Sequence, residues 1–214
     1  MRIKTTIIVL VTLILSLANH AFATPEEDVI TTYRAFVTAI RNGDAVEAMK
    51  FVEPSTEVNQ PLLDAIVKET IAADAVQMEM LKQFSPRTAE EGWEAICIVP
   101  WDDLLQKLRC QITESGTAGV FVFDDETSGE GLIATMIQRD GKWVLASTNL
   151  LEQFGMTPED LEEKQISRAT AVEKSETKQS IYKLLLKQLW GKEFATAIDC
   201  QKSLKEDQKR NGVD

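Results

Sequence analysis

Residues 136–147 read MIQRDGKWVLAS, and this stretch decides the fold. Two runs rich in strand-forming residues, MIQR and KWVL, flank Asp140-Gly141, a pair able to take positive φ at both positions. A two-residue hairpin turn requires that backbone, so the stretch predicts two antiparallel strands, about 131–139 and 142–148. Two further short runs precede them, about 109–115 and 118–124, and the polar connection DDETSGEG at 124–131 leads into the third. A meander of this kind needs one face covered by other elements. Before it, Trp93 to Val99 (WEAICIV) predicts a buried strand ended by Pro100, and 101–108 suits one or two helical turns.

The cover lies upstream. Pro25-Glu26-Glu27-Asp28 opens a first helix, with proline and acids in the first turn where the helix dipole favours them. Val29, Tyr33, Phe36, Val37 and Ile40 recur at helical spacing until Asn42-Gly43 stops the run. Asp44 caps a second short helix carrying Val46, Met49, Phe51 and Val52. A third helix runs from about Pro61 to Phe84 with a broad apolar face: Leu62, Leu63, Ile66, Val67, Ile71, Val76, Met80 and Leu81. The fold class expected is therefore α+β, three N-terminal helices packed on an antiparallel sheet.

From Pro158 the chain reads as helix, and its apolar stripe is Ile181, Leu184, Leu185, Leu189, Phe194 and Ile198. Such a stripe folds back on its domain or pairs with a second copy, so a homodimer through the C-terminal helix is one expectation. The first residues differ in kind. Arg2 and Lys4 precede the 13-residue apolar run TTIIVLVTLILSL, and Ala21-Phe22-Ala23 forms a small-x-small cleavage site. Residues 1–23 thus read as a secretory signal peptide, 24–157 as the α+β domain and 158–214 as a helical extension. Export to a periplasmic or extracellular space is expected, with no stable membrane anchor after cleavage.

Charge sharpens that division. The chain holds 34 acidic and 23 basic side chains, for a net charge of −11. Residues 24–157 carry 23 acidic and 10 basic groups, whereas 158–214 carry 11 of each. The acidic excess argues against nucleic acid, which needs clustered Lys and Arg. The one histidine, His20, lies in the signal segment, so the mature chain excludes Ser-His-Asp triads, Cys-His dyads and His-ligated zinc. No metal or cofactor is expected. Asp124, Glu126, Ser128 and Gly129 echo a calcium loop, but its twelfth position is Thr135 where a bidentate glutamate belongs.

Helices with a Gly-Asp joint, followed by a meander ending in RDGKWVLAS, resemble the NTF2-like superfamily. The matching stretches fall within Glu26 to Val52 (AFVTAIRNGDAVEAMKFV) and Val120 to Ser147, about 55 residues in all. The resemblance implies a cone with a pocket between helices and sheet, and the helical extension after 158 is no part of it. It also offers a test of chemistry. In the ketosteroid isomerases of that superfamily a first-helix tyrosine donates to the oxyanion. Counting back seven residues from Gly43 reaches Phe36, which cannot donate. Their general-base aspartate would fall near Asn59 or Gln60, neither of which is basic. The resemblance therefore implies the scaffold without that catalysis.

The pocket candidates are Tyr33, Phe36, Trp93, Trp101, Arg109 and Trp143, with Arg34, Asp102 and Asp103 as further polar groups. Cys97 and Cys110 lie 13 positions apart and could form a disulfide in an oxidising compartment; two buried thiols is the other reading. Cys200 is the odd cysteine. The function expected is a non-catalytic binding or interaction module for a small apolar ligand or a protein partner. The alternative is a small-molecule enzyme, of isomerase or hydrolase type, using carboxylates in the cone.

Overall fold

A computed structural model of the chain describes residues 24–56, 59–84, 99–100, 102–124 and 129–213. The expected signal segment (residues 1–23), Trp93, Cys97, Trp101 and the tip of the polar connection lie outside the described residues. Within them the fold is α+β, with helices laid on an open four-stranded antiparallel sheet.

Helix α1 (Pro25–Arg41) starts on a reciprocal cap: Thr24 Oγ1 accepts from Glu27 N–H, and the Glu27 carboxylate accepts from Thr24 N–H. The expected apolar residues Val29, Tyr33, Phe36, Val37 and Ile40 are all buried. Gly43, at φ +73°, turns the chain into α2 (Ala45–Met49), capped by Asp44. Here one expectation is corrected. Val46 is 76 % exposed, and Ala48 faces the core, because a helix of five residues has one inward position per turn. Val52 then forms a parallel bridge to Leu145, and Glu53 N–H donates to Leu145 O at 2.8 Å.

Helix α3 (Gln60–Phe84) is the spine of the molecule. Leu62, Leu63, Ile66 and Val67 join α1 and the sheet in one core, while Ala72, Ala73, Val76 and Met80 belong to a second. After Val99 and the short α4 (Asp102–Gln106) come β1 (Leu108–Ile112), β2 (Thr117–Asp124), β3 (Gly129–Arg139) and β4 (Lys142–Leu145). They pair in sequence order, and Asp140 (φ 50°) and Gly141 (φ 74°) make the hairpin turn that the sequence predicts. A register shift at Val120/Phe121 lets the Phe121 ring fold over Gly119, where a Cβ would lie 2.7 Å from it. Leu108, Ala118, Val120, Ala134, Met136 and Leu145 form the buried face of the sheet against α1 and α3.

The last strand ends sooner than 148. Helix α5 (Ser147–Gln153) begins there, and the Asn149 carboxamide accepts from Thr135 N–H of β3. Glu53 secures the corner. Its carboxylate receives Arg139 Nε at 3.1 Å and Ser147 Oγ at 3.2 Å. Helix α6 (Pro158–Glu163) starts on a Thr157–Asp160 capping box and delivers the chain to α7 (Arg168–Trp190).

The helical extension folds back. Helix α7 lies along α3, and with α8 (Ala197–Arg210) it encloses Ile181, Tyr182, Leu185, Leu189, Cys200 and Leu204 around the second core. Gln83 Nε2 donates to Leu189 O at 2.7 Å, and Gln179 Nε2 to Ala65 O at 3.2 Å, tying the two helices side by side. The expected stripe is corrected at Leu184, which is 51 % exposed; Tyr182 takes the inward position. The N-terminal part of α7 also reaches the first core through Ala171. Among the described residues no helix is long and apolar enough to cross a membrane.

Candidate functional site

At Tyr33 and Phe36, two of the predicted pocket residues, the side chains are packed into the core. Tyr33 and Phe36 are 4 % and 3 % exposed, their ring centroids 6.3 Å apart, and both belong to the first core. They act as core side chains because the first helix turns its whole apolar face onto the sheet. Arg109 lies exposed on β1. Arg34 donates to Leu105 O through Nε and Nη2, holding α4 to α1. Cys110 is a half-buried free thiol on β1, and its expected partner Cys97 lies outside the described residues.

Trp143 alone of the described pocket candidates lines a cleft. It stands with Val144, Lys142 and Gly141 opposite Asp28, Thr31 and Thr32 of α1 and Glu47, Lys50 and Phe51 of the α2 region, around about 420 Å³. The cleft is polar and open, and its Lys50 is already paired with Glu47.

Two groups of buried polar side chains leave α3 on different faces. On one, Arg41 at the end of α1 pairs with Asp102 and donates to Pro100 O at 2.6 Å. Asp74 lies beside it, 2 % exposed, with Oδ1 lacking a hydrogen-bond partner among the described residues. Burial pushes the Asp74 carboxyl up to about 6; Arg41 opposes that rise and Asp102 adds to it. On the other face Glu69 is 3 % exposed, with Lys178 of α7 at 3.9 Å. Burial raises its carboxyl against the attraction of Lys178. Among the described residues no group of three or more His, Cys, Asp or Glu side chains could hold a metal ion.

A further cleft, of about 340 Å³, differs in character. It runs between α3 and α7, beside the joint of α1 and α2. Gly43, Ala45, Ala72 and Ala75 make a floor of small residues, and Ile71, Tyr182 and Leu186 form apolar walls. Lys68, Gln179 and Lys183 are its polar lining; no carboxylate contributes. The groove exists because α7 lies against alanines, which let two helix backbones approach while leaving a channel beside them. Sequence reading did not single out these residues. The signal available was the small-residue run IAADA at 71–75, facing a tail whose docking partner was then open.

Comparison of the chain with family models, with curated proteins and with solved structures gives no match.

Proposed function

We propose that this chain is an exported, non-catalytic binding module, an NTF2-like scaffold that holds a small ligand with an apolar body in the groove between α3 and α7. The observation that carries this reading is the lining of that groove. It offers apolar walls, a floor without bulky side chains and few polar groups, in a volume within the range of about 300–1,000 Å³ usual for small-molecule sites. The groove also gives the helical extension a role, because four of its ten lining residues come from α7. Its lack of a carboxylate leaves the carboxylate-based enzyme alternative without its group there, which sets that alternative behind the binding one. For the scaffold, the support is the order of elements: helices first, then a meander closed by the Asp140-Gly141 turn. For export, it is the sequence of residues 1–23.

The test uses a neutral apolar fluorophore, N-phenyl-1-naphthylamine, with the mature protein. Saturable binding that is lost in Ala75→Trp, whose indole would fill the groove, supports the reading. Absence of binding, or binding that Ala75→Trp leaves intact, overturns it; circular dichroism confirms that the variant is folded. Export is tested by N-terminal sequencing of exported protein, expected to begin at Thr24.

A second reading, self-association through α7, has its own observation. Leu184 and Trp190 are 51 % and 62 % exposed, large apolar side chains left outside the second core. A protein that sediments as a monomer at high concentration removes it.

A further inference from the structure

We infer that the ligand of this groove is a single-chain amphiphile with a carboxylate head, a fatty acid in chemical class. The inference rests on the groove being a binding site and adds the charge and shape of what enters it.

The argument begins with two lysines. Lys68 of α3 and Lys183 of α7 line the groove from opposite helices, and both are exposed. Neither has an ion-pair partner among the described residues. Among the other lysines of these helices, Lys82 pairs with Glu79 and Lys178 approaches Glu69, whereas Lys174 and Lys187 have no ion pair among the described residues. What sets Lys68 and Lys183 apart is their place: two ammonium groups from opposite helices at one apolar groove whose lining holds no carboxylate. Two like charges facing one channel repel each other, and an anion between them turns that repulsion into attraction.

The rest of the lining fixes the body of the ligand. Ile71, Tyr182 and Leu186 bury apolar surface, and the small floor of Gly43, Ala45, Ala72 and Ala75 lets a narrow chain lie against the helix backbones. A volume of about 340 Å³ sits at the low end for ligand sites, which suits one alkyl chain better than the paired chains of a membrane phospholipid. Two lysines match the two oxygens of a monoanionic carboxylate. A dianionic head would meet more repulsion from the acidic remainder of the protein.

The test compares dodecanoate with 1-dodecanol, dodecyl phosphate and dodecyltrimethylammonium below their aggregation concentrations, by calorimetry on the mature protein. Dodecanoate is expected to bind about tenfold more tightly than dodecanol, the combined effect of two exposed charge pairs. The double variant Lys68→Gln/Lys183→Gln is expected to erase that preference, while Ala75→Trp abolishes binding of both dodecanoate and dodecanol. Equal affinity for dodecanol and dodecanoate, a preference that survives the double variant, or tighter binding of the cationic amphiphile overturns the anionic head and leaves the groove standing. Tighter binding of dodecyl phosphate than of dodecanoate overturns the carboxylate. Failure of every amphiphile to bind, or binding unaffected by Ala75→Trp, removes the groove itself and this inference with it.

Discussion

Asparagine in place of Asp74 should raise stability at neutral pH and leave it nearly unchanged in acid. Asp74 is 2 % exposed and points at Arg41, whose guanidinium is already engaged by Asp102 and Pro100 O. Burial holds its carboxyl at about 6, against 3.8 for an unhindered aspartate. Between those two values the native state binds more protons than the unfolded chain, so stability falls as pH rises through the window. The stabilisation is complete below about 3.8 and lost above about 6. At about 1.4 kcal/mol per pH unit the loss amounts to roughly 3 kcal/mol. Asparagine is nearly isosteric and cannot ionise, so the variant escapes this cost. Its amide N–H groups add a penalty of about 1–3 kcal/mol if they find no acceptor, but that penalty does not vary with pH. The quantity to measure is therefore the difference in unfolding free energy between Asp74→Asn and the parent, from urea titrations at a series of pH values from about 4 to about 7.5. It should shift in favour of the variant by about 2–3 kcal/mol across that range, mostly between pH 4 and 6. Glu53 has the opposite dependence: despite the upward push of burial, its bonds from Arg139 and Ser147 hold it below the usual carboxylate range. Its stabilisation is lost as pH falls, but both proteins carry it, so it cancels in the difference. A difference that stays flat with pH, or grows toward acid, refutes the reasoning.

Leu189 is fully buried between α3 and α8, so Leu189→Ala should cost about 2–5 kcal/mol and lower the single unfolding transition of the whole protein. Two separate transitions, only one of them shifted, would show instead that the extension unfolds on its own. At the hairpin, Gly141 holds φ 74°, and Gly141→Ala is expected to cost about 1–2 kcal/mol by thermal or urea melts, with Gly141→Asn milder. Cys200 is fully buried and its thiol is pushed up to about 12 by burial alone, so Ellman's reagent should reach it only after unfolding. Rapid labelling of Cys200 in the native protein would contradict that.

Local rules carried a large part of the fold. The first helix was legible because Pro25, Glu26, Glu27 and Asp28 write a start signal and five apolar residues keep one helical face. The hairpin was legible because Asp140-Gly141 tolerates a backbone that few other pairs do. Helix α5 was hidden: Ser147 to Gln153 follows a strand without a break in polarity, and its first residue is held by Glu53, nearly a hundred positions away. The site was less legible than the fold. Tyr33 and Phe36 lie on the first helix where the resemblance implies a pocket, but helical spacing cannot tell a cavity wall from a core. The groove residues Ile71, Ala75, Tyr182 and Leu186 are ordinary helix-surface positions until two helices meet.

By itself the sequence determined the class of the protein: the type and order of its first three helices, the meander, the charge division at Pro158, and a single histidine confined to the first 23 residues. These follow from periodicity, capping, turn backbone and composition, which act over a few residues. The tertiary structure decided where the helical extension goes, and with it the candidate site. The stripe of Ile181, Leu185 and Leu189 required apolar cover but did not name its partner. That cover came from Ala72, Ala73, Val76 and Met80, more than a hundred residues earlier, because the small side chains of Ala72 and Ala73 let the two helices close together. Burial is a demand that any apolar face can meet, and only the assembled chain selects which one does.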